Sequence, residues 1–466
     1  MRRLWLKVHA PELGSGGSEF DRRLADHGIA HEREVAARIP GLVGPLFDGH
    51  GDLEAAAERT LELLRTTRDP LYQPAFLSRD GRRAGVPDFV LHDGDGLVLR
   101  DAKTFVNPGG LTAARLQMAH YSALVEESLG APPLRCEVIN GRHEVLRVEL
   151  PPRAEYDALI ARMAAVIESP DEPELLQSHS KCEGCGFYGH CWPRAIREGW
   201  IEILPAVNRM NQPQLARLGL GRIPALAAAD PVWLTSQGIK GRTEDLVLEA
   251  RSRAEGRALW RRAPGMPSGR TLVWFDLEGD PSADVEVPIY LWGYAVDAQP
   301  TATSAAALAC EAVIAAPGRD GDRAAWEDFL TRAAAIFASH PDALWIHYDE
   351  YERTWLKRYL ERYGDRAAIG ARLLNSMFDL CRALKQSAVL PITSYSIKRV
   401  AAHLGFKWSD PAMGSQWSIV QYERARAAPD VAERERLFEP IRSYNADDLR
   451  AMKCVWDWMV RDGLAP

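Results

Sequence analysis

The feature that most constrains this chain is a pair of aspartates that a short hairpin can hold side by side. Asp88 ends an apolar run within residues 85–90, and residues 97–100 lead into Asp101. The turn-rich residues 92–96 lie between them, so a hairpin is predicted to bring Asp88 and Asp101 together. Adjacent carboxylates repel, which raises one pKa unless a divalent cation lies between them, and such oxygen ligands suit Mg²⁺ or Mn²⁺.

Further polar residues follow this pair at regular spacing. Lys103 lies two residues after Asp101, so in a strand it projects from the same face and could orient water or stabilise a phosphoryl transition state. Gln117 and Tyr121 stand four apart in a predicted helix. A D-x-K tripeptide alone is common by chance and can be a solvated strand end. The order and spacing of all these residues instead favour a metal-dependent site.

This series resembles the RecB-like branch of the PD-(D/E)xK nucleases, in which a Q-x-x-x-Y helix follows the D-x-K strand and an upstream helical histidine completes the metal site. The resemblance implies a restriction-endonuclease-like fold. It makes His31, Asp88 and Asp101 metal ligands, Lys103 a catalytic residue, and Gln117 and Tyr121 nucleic-acid-binding residues. For His31, in a helix predicted over residues 19–38, a surface position on that helix is the alternative.

Length and composition predict a multidomain globular protein. A chain of 466 residues exceeds one ordinary core, and 46% hydrophobic with 26% charged residues is typical of soluble domains. No apolar run approaches the roughly 20 residues that span a bilayer, and no signal-peptide pattern is visible, so a cytoplasmic location is expected. The net charge of −7 argues against a globally basic coat, although a local groove could bind nucleic acid.

Three of the seven cysteines cluster as Cys182, Cys185 and Cys191. In a cytoplasmic chain this favours metal or iron–sulfur ligation over disulfides. Zinc with His179 or His190, a cluster needing a fourth thiolate, and unliganded thiols all remain open. The other cysteines after this cluster are expected to be buried apolar residues.

The cysteine cluster also resembles the [4Fe–4S] site of AddB-type and CRISPR-associated RecB-like nucleases, which use one cysteine before the nuclease core and three after it. The earliest cysteine here is Cys136, inside the predicted core. Residues 3–13 resemble a segment that follows the first cysteine in such proteins. A start site assigned too late, or a real loss, would account for the missing ligand.

Residues 208–230 form two predicted short helices around a glycine-containing turn. They resemble a helix-hairpin-helix, whose turn amides would meet a phosphate, and a plain helical connector is the alternative. Arginines are frequent over residues 251–270, where a solvated linker or a phosphate contact would explain them.

A second acidic pattern begins at an apolar strand that carries Asp276 and Glu278. Acids at i and i+2 leave the same face of a strand. A strand over residues 288–296 is predicted to pair antiparallel with the first, and Glu352 follows a third strand over residues 343–348. Near the C-terminus, Tyr444 and Asp448, with Asp447, are predicted to share one helical face.

These acids resemble the D-x-E, later acid and Y-x-x-x-D motifs of the ribonuclease-H-like DEDD exonucleases. The resemblance makes Asp276, Glu278, Glu352 and Asp448 ligands of two metal ions and makes Tyr444 the residue that orients the attacking water. Glu352 stands where that family has Asp. Asp379 and residues 394–398 match intervening segments and are expected to shape the substrate groove. Exposed acids at strand ends and helix starts are the alternative.

The whole chain resembles predicted bacterial nucleases that join a RecB-like domain to a YprB-type domain. The expected fold is α/β, with a restriction-endonuclease-like mixed-sheet domain over 1–200, a helical connector over 201–267 and a ribonuclease-H-like domain over 268–466. The expected function is a metal-dependent DNA exonuclease acting on single-stranded ends, with a role in DNA repair. The alternatives are catalysis by the C-terminal domain alone, on DNA or RNA, and a nucleic-acid-binding scaffold without turnover.

Overall fold

The computed structural model describes residues 1–105, 109–174, 182–280 and 287–463. The chain divides into two compact units. The first unit is built on Gly17–Asp171, and the second combines Arg2–Gly16 with the described residues from Glu172 onward. The N-terminal helix α1, Arg2–His9, therefore belongs to the second unit.

The first unit contains four helices and seven short strands among its described residues. The helices are α2 Glu19–Ala37, α3 Leu53–Thr66, α4 Gly110–Leu129 and α5 Arg153–Glu168. The strands are β1 Leu71–Tyr72, β2 Phe76–Leu77, β3 Ala84–Gly85, β4 Phe89–Asp93, β5 Gly96–Ala102, β6 Arg135–Ile139 and β7 Val145–Arg147. The mixed sheet has the order β1-β4-β5-β6-β7, and β2 pairs with β3.

The β4–β5 hairpin is the centre of this sheet. Its register places Phe89 opposite Arg100 and Asp93 opposite Gly96. Asp88 precedes β4 rather than ending an apolar strand, because the strand begins at Phe89. On β5, Leu99 and Asp101 share a face by the two-residue alternation of strands, and Leu99 packs in one core with Met118 of α4. The crossover helix α4 therefore covers the face that carries Asp101.

The second unit begins with helices that build a core of their own. They are α6 Tyr188–Arg197, α7 Gln212–Arg217, α8 Ile223–Ala227, α9 Pro231–Ser236 and α10 Thr243–Glu255. Leu215, Leu226 and Leu246 are fully buried in this core. The two short helices predicted over residues 208–230 correspond to α7 and α8.

A five-stranded sheet and its helices form the rest of this unit. The strands are β8 Leu259–Trp260, β9 Leu272–Gly279, β10 Ile289–Asp297, β11 Glu311–Ile314, β12 Leu344–His347, β13 Met377–Asp379 and β14 Ala388–Val389. The helices are α11 Arg319–Ser339, α12 Tyr351–Tyr363, α13 Ile369–Asn375, α14 Leu380–Ser387, α15 Ile397–His403, α16 Ser415–Ala427 and α17 Val431–Asp462. The sheet order is β11-β10-β9-β12-β13, and β14 pairs with β8.

Strand β9 lies between helices on both faces of this sheet. Trp274 meets Trp456 of α17 edge to face, with ring centroids 5.9 Å apart. Phe275, on the opposite face, stacks at 5.3 Å on Phe329 of α11. Because alternate residues share a face, Asp276 and Glu278 emerge on the side of Trp274 and α17. The expected α/β architecture is confirmed.

Candidate metal centres

In the first unit, Asp88 and Asp101 hold each other through reciprocal backbone contacts. The Asp88 N–H donates to Asp101 Oδ1 at 3.0 Å, and the Ala102 N–H donates to Asp88 Oδ2 at 2.7 Å. Lys103 Nζ lies 2.9 Å from Asp101 Oδ2. The hairpin thus brings together the two acids and the lysine, as the sequence predicts.

Burial makes ionisation of this pair costly. Burial, followed by the charges of the Asp101 and Glu32 carboxylates, raises the pKa of Asp88 to about 8, and Lys103 opposes this shift. A divalent cation would remove this cost, because it favours the ionised form of both carboxylates. Asp88 and Asp101 therefore fit a Mg²⁺ or Mn²⁺ site by donor chemistry and by charge.

Glu32 is a third acid of this pocket that the sequence analysis did not identify. Its Oε1 accepts from Gln73 Nε2 at 2.8 Å, and its charge acts on Asp88 and Lys103. A helical acid beside the predicted His31 was the available signal. The D-x-K pattern does not indicate which face of α2 is turned toward the acids.

His31 lies on α2 as predicted, but its ring is not among the acids. His31 Nε2 lies 3.3 Å from the Ile139 carbonyl oxygen, and its ring centroid is 5.1 Å from that of His143. Neighbouring helical residues diverge by about 100°, so Glu32 and His31 leave α2 in different directions. The geometry gives no support to His31 as a third ligand with Asp88 and Asp101.

Gln117 and Tyr121 of α4 lie one turn apart and contact each other. Gln117 Nε2 donates to the Tyr121 hydroxyl at 2.7 Å. Burial, and then the charge of Asp101, raises the pKa of Tyr121. Gln117 also lines a cavity of about 620 Å³ beside α5, whereas neither Asp88 nor Asp101 lines it. Tyr121 is thus near the acids, and Gln117 connects it to the neighbouring cavity.

The second unit holds a tighter group of carboxylates. One oxygen each from Asp276, Glu278 and Asp448 lies within 4.8 Å of the others. Asp276 and Glu278 come from β9, and Asp448 comes from the buried face of α17. A strand pattern and a helix pattern 170 residues apart therefore meet at one point.

Neighbouring polar groups orient two of these ligands. Asn445 Nδ2 donates to Asp276 Oδ2 at 2.6 Å, and Trp408 Nε1 donates to Asp448 Oδ1 at 2.7 Å. Asp447 instead accepts from the Ser409 N–H at 2.7 Å. Asp448 is thus the acid of this pair that joins the carboxylate group, and Asn445 and Trp408 are positioning residues that sequence reasoning missed.

The charges of this group oppose one another. Burial raises the pKa of Asp276 and that of Glu278 well above the usual range, and the neighbouring carboxylates add to both shifts. Burial also raises the pKa of Asp448 to about 6, against the stabilising contacts of Trp408 and Lys398. Ionising these three carboxylates without a counterion is costly, so the group fits one or more hard divalent cations.

Glu352 lies beside this group without belonging to its closest set. It is buried in the first turn of α12, and burial raises its pKa while His347 lowers it. His347 Nδ1 is 3.7 Å from Glu352 Oε2, and that oxygen has no hydrogen-bond partner among the described residues. Its charge acts on Asp276 and Glu278. A free buried carboxylate oxygen suits a further cation ligand.

Tyr444 and Lys398 complete the surroundings of the second group. Tyr444 forms a hydrogen bond with Asp448, and burial followed by that acid's charge raises its pKa. Lys398 Nζ lies 4.7 Å from the centre of the Tyr444 ring. Burial lowers the pKa of Lys398, and Asp448 and Glu278 oppose that shift. Lys398 was expected only to shape the groove, and its position adds a cation beside the carboxylates.

The cysteine cluster lies against α1 in the second unit. Leu6, Phe187 and Cys191 share a small core that Cys185 also touches. Burial, followed by the charges of the two other cysteines, raises the pKa of Cys182 to about 11. For Cys191 burial also raises the pKa, whereas Arg2 lowers it. Burial therefore disfavours the thiolate forms of Cys182 and Cys191.

The described residues give no support to a bound cluster. The three sulfur atoms are not among the groups of three ligands within 4.8 Å that the described residues form. His190 Nε2 lies 3.9 Å from a Glu172 oxygen, and His179 lies outside the described residues. Iron–sulfur or zinc ligation by Cys182, Cys185 and Cys191 remains a prediction.

Arginines of the basic stretch contact the protein itself. Arg251 Nε donates to the Ala227 carbonyl at 2.8 Å, and Arg253 Nη1 donates to the Pro391 carbonyl at 2.7 Å. Arg261 pairs with Asp245. These three side chains therefore hold the helical region in place.

Comparison with known proteins gives one finding. Residues 273–460 match the family model RNase_H_2 of the RNase H superfamily. No curated protein and no solved structure matches the chain. No helix among the described residues has the length and apolar character needed to cross a bilayer. The C-terminal part of the chain is an RNase H-like domain, which indicates a nuclease-type hydrolase of phosphodiester bonds that acts on nucleic acid.

Proposed function

We propose that this protein is a metal-dependent nuclease whose principal centre is formed by Asp276, Glu278 and Asp448. The observation that carries the proposal is the meeting of these three carboxylates within 4.8 Å, in the region that matches the RNase H superfamily. Glu352, with its unpartnered oxygen, is the fourth proposed ligand. Two cations held by such a set supply charge stabilisation for the attacking and leaving oxygens of a phosphodiester.

The chain's own residues would prepare this centre. Asn445 and Trp408 hold Asp276 and Asp448 in place before substrate arrives. Tyr444, with its raised pKa, keeps its proton and orients the attacking water. Lys398 places a positive charge close to Glu278 and Asp448, where a scissile phosphate would enter. Preorganised groups of this kind lose little free energy to rearrangement during the reaction.

A second nuclease centre at Asp88 and Asp101 is supported by their contact with Lys103. In this RecB-like reading the two aspartates hold a metal ion, Glu32 takes the place proposed for His31, and Lys103 assists the chemistry. Gln117 and Tyr121 then position DNA. The elevated pKa of Asp88 supports a cation at this pocket, because it favours neutralisation by a bound metal.

For the substrate we propose single-stranded DNA ends, cleaved exonucleolytically in a DNA repair context. The support is the resemblance of the complete motif order to proteins that join RecB-like and YprB-type domains. Within that resemblance, Cys182, Cys185 and Cys191 would ligate a [4Fe–4S] cluster, or zinc, that fixes the segment beside α1. The support for this ligation is the spacing of the three cysteines and that resemblance.

Two isosteric variants separate the proposed centres. Asp276→Asn and Asp101→Asn each remove one negative charge, and cleavage of end-labelled single-stranded DNA and RNA is followed in Mn²⁺ and Mg²⁺. We expect Asp276→Asn to reduce cleavage at least about 100-fold, because a ligand of the principal centre is lost. Asp447→Asn is the matched control, since Asp447 is a buried acid of the same helix as Asp448 but accepts from the Ser409 N–H.

Each outcome distinguishes between the proposed catalytic centres. Loss in Asp276→Asn alone limits catalysis to the RNase H-like domain, and loss in Asp101→Asn alone assigns it to the first pocket. Cleavage that survives both substitutions contradicts the proposal. Binding of labelled strands in Ca²⁺ with no product in Mg²⁺ or Mn²⁺ would instead identify a nucleic-acid-binding scaffold.

A further inference from the structure

A second kind of ligand cluster lies in the first unit, apart from both groups of acids. One ligand atom each of His31, Glu34 and His143 lies within 4.8 Å of the others. His143 Nε2 is 3.3 Å from Glu34 Oε2, and the two imidazole centroids are 5.1 Å apart. None of these side chains was combined in this way by the sequence analysis.

Two elements of the first unit build this cluster. His31 and Glu34 are three residues apart on α2 and therefore share one face. His143 stands in the turn between β6 and β7 with a left-handed φ of 60°. Asn140 holds that turn, because its Oδ1 accepts from the N–H groups of Arg142 and Glu144 at 2.9 and 3.0 Å. The position of His143 is thus set by the backbone rather than by a flexible loop.

The hydrogen bonds of the two imidazoles suit metal ligation. His31 Nε2 lies 3.3 Å from the Ile139 carbonyl, so it can donate there and leave the Nδ1 lone pair free. Metal-ligating histidines commonly donate their other ring N–H to a carbonyl in this way. The cluster therefore holds one ring nitrogen, His143 Nδ1, that is buried and has no hydrogen-bond partner among the described residues.

The donor set differs from that of the two acidic centres. Two imidazoles and one carboxylate are typical ligands of Zn²⁺ and related transition metals, whereas all-oxygen sets suit Mg²⁺. Metal–ligand bonds of about 2.1 Å in a tetrahedral site place ligand atoms about 3.4 Å apart. The side chain of Glu34 is 64% exposed, so it can move the short distance needed to close the present spacing.

We propose that His31, Glu34 and His143 form a transition-metal site of the zinc class, with a solvent molecule as the fourth ligand. A metal bound there would clamp α2 to the β6–β7 turn. The neighbouring Glu32 faces the Asp88 pocket from the same helix, so the clamp also fixes one wall of that pocket. Metal binding at His31, Glu34 and His143 requires no catalysis at the Asp88 pocket or at the Asp276 centre.

Cobalt binding to the full chain tests this site directly. Co²⁺ is titrated in excess Mg²⁺, which occupies the all-oxygen centres, and the visible absorption bands of the bound ion are recorded. We expect visible bands from one equivalent of Co²⁺ that Zn²⁺ displaces and that are separate from any near-ultraviolet thiolate-to-cobalt band of the cysteines. Glu34→Gln should weaken binding roughly tenfold or more, and His143→Ala should abolish it. His50→Ala, a substitution at an exposed histidine outside the cluster, is the control.

Thermal unfolding shows whether a variant that binds cobalt weakly is still folded. Zn²⁺ should raise the unfolding midpoint of the wild-type protein and of His50→Ala by more than that of Glu34→Gln, because a ligand that binds only the folded state stabilises it in proportion to its affinity. The proposal is overturned if no cobalt bands appear, if only a thiolate band appears, or if Glu34→Gln and His143→Ala bind as tightly as wild type.

Discussion

At the scale of single residues, the absence of a side chain at position 293 shapes the principal centre. Gly293 lies opposite Asp276 in the β9–β10 pairing. A Cβ atom there would lie 1.7 Å from Asn445 Oδ1, a distance that no packing tolerates. The glycine therefore leaves the space in which Asn445 reaches and orients Asp276.

Gly293→Ala should reduce nucleic-acid cleavage without removing any ligand. Displaced Asn445 no longer holds Asp276, and a misplacement of about 1 Å can cost roughly 100-fold in rate. Cleavage is measured at a temperature where thermal unfolding shows both proteins folded, because overpacking also destabilises by about 1–3 kcal/mol. Gly221→Ala is the control, since a Cβ there meets no atom within 4 Å. Unchanged cleavage by Gly293→Ala would refute the role given to Asn445.

The raised pKa of Asp88 predicts how stability changes with pH. Its folded pKa of about 8 exceeds the unfolded value near 4, so the folded state retains a proton that the unfolded state has lost between these values. The free energy of unfolding of the metal-free protein should therefore fall as pH rises from about 4 to 8. Asp448 contributes in the same direction from about 4 to 6.

Urea unfolding in EDTA at pH 5 and pH 8 measures this loss. Asp88→Asn should reduce the fall in stability, because the amide has no proton to lose. Mg²⁺ should restore stability at pH 8 in the wild type, since it binds the ionised carboxylates of the folded state. An equal pH dependence in wild type and Asp88→Asn would contradict the raised pKa.

At the scale of elements, Thr60 joins α3 to the start of β2. Its hydroxyl donates to the Ala56 carbonyl at 2.9 Å and accepts from the Ala75 N–H at 3.0 Å. Thr60 and Ala75 are fully buried, so water cannot replace either bond. One side chain thus satisfies a backbone donor at the entry to a strand.

Thr60→Val should lower the free energy of unfolding by about 1–3 kcal/mol, because it leaves the Ala75 N–H buried without an acceptor. Thr60→Ser retains the hydroxyl and should cost less. Chemical unfolding of both variants provides the measurement. A smaller loss in Thr60→Val than in Thr60→Ser would contradict the importance of this hydrogen bond.

Local sequence patterns predicted most elements but not how they meet. Helix α2 lies within the range predicted for it, residues 19–38, and β9 with β10 pairs as predicted. The short edge strand β11 was missed, because four residues give little periodic signal. The ligands of the principal centre were found because their spacings on β9 and α17 are local. Asn445, Lys398 and Glu32 were not assigned their positions beside the acids, since these depend on packing between distant segments.

At the scale of the whole molecule, negative charge dominates. The chain carries 57 Lys and Arg against 64 Asp and Glu, and two of its candidate centres are buried groups of acids. Nucleic-acid phosphates are repelled by such groups until cations neutralise them. Association with substrate should therefore depend on divalent metal as much as catalysis does.

Binding of labelled single-stranded DNA by the wild-type protein in Ca²⁺ and in EDTA tests this dependence, with product formation checked in the same samples. We expect the affinity in Ca²⁺ to exceed that in EDTA at least about tenfold. The affinity should also fall as salt is raised, because phosphate contacts release counterions. Equal binding in EDTA and Ca²⁺ would show that recognition does not involve the acidic centres.

Helix α2 carries side chains of two different ligand groups in the first unit. His31 and Glu32 are consecutive, yet they leave the helix about 100° apart and reach different ligand groups. A small rotation of α2 about its axis would move both side chains at once. Metal binding at His31 and Glu34 that rotated α2 would therefore also move Glu32 relative to Asp88.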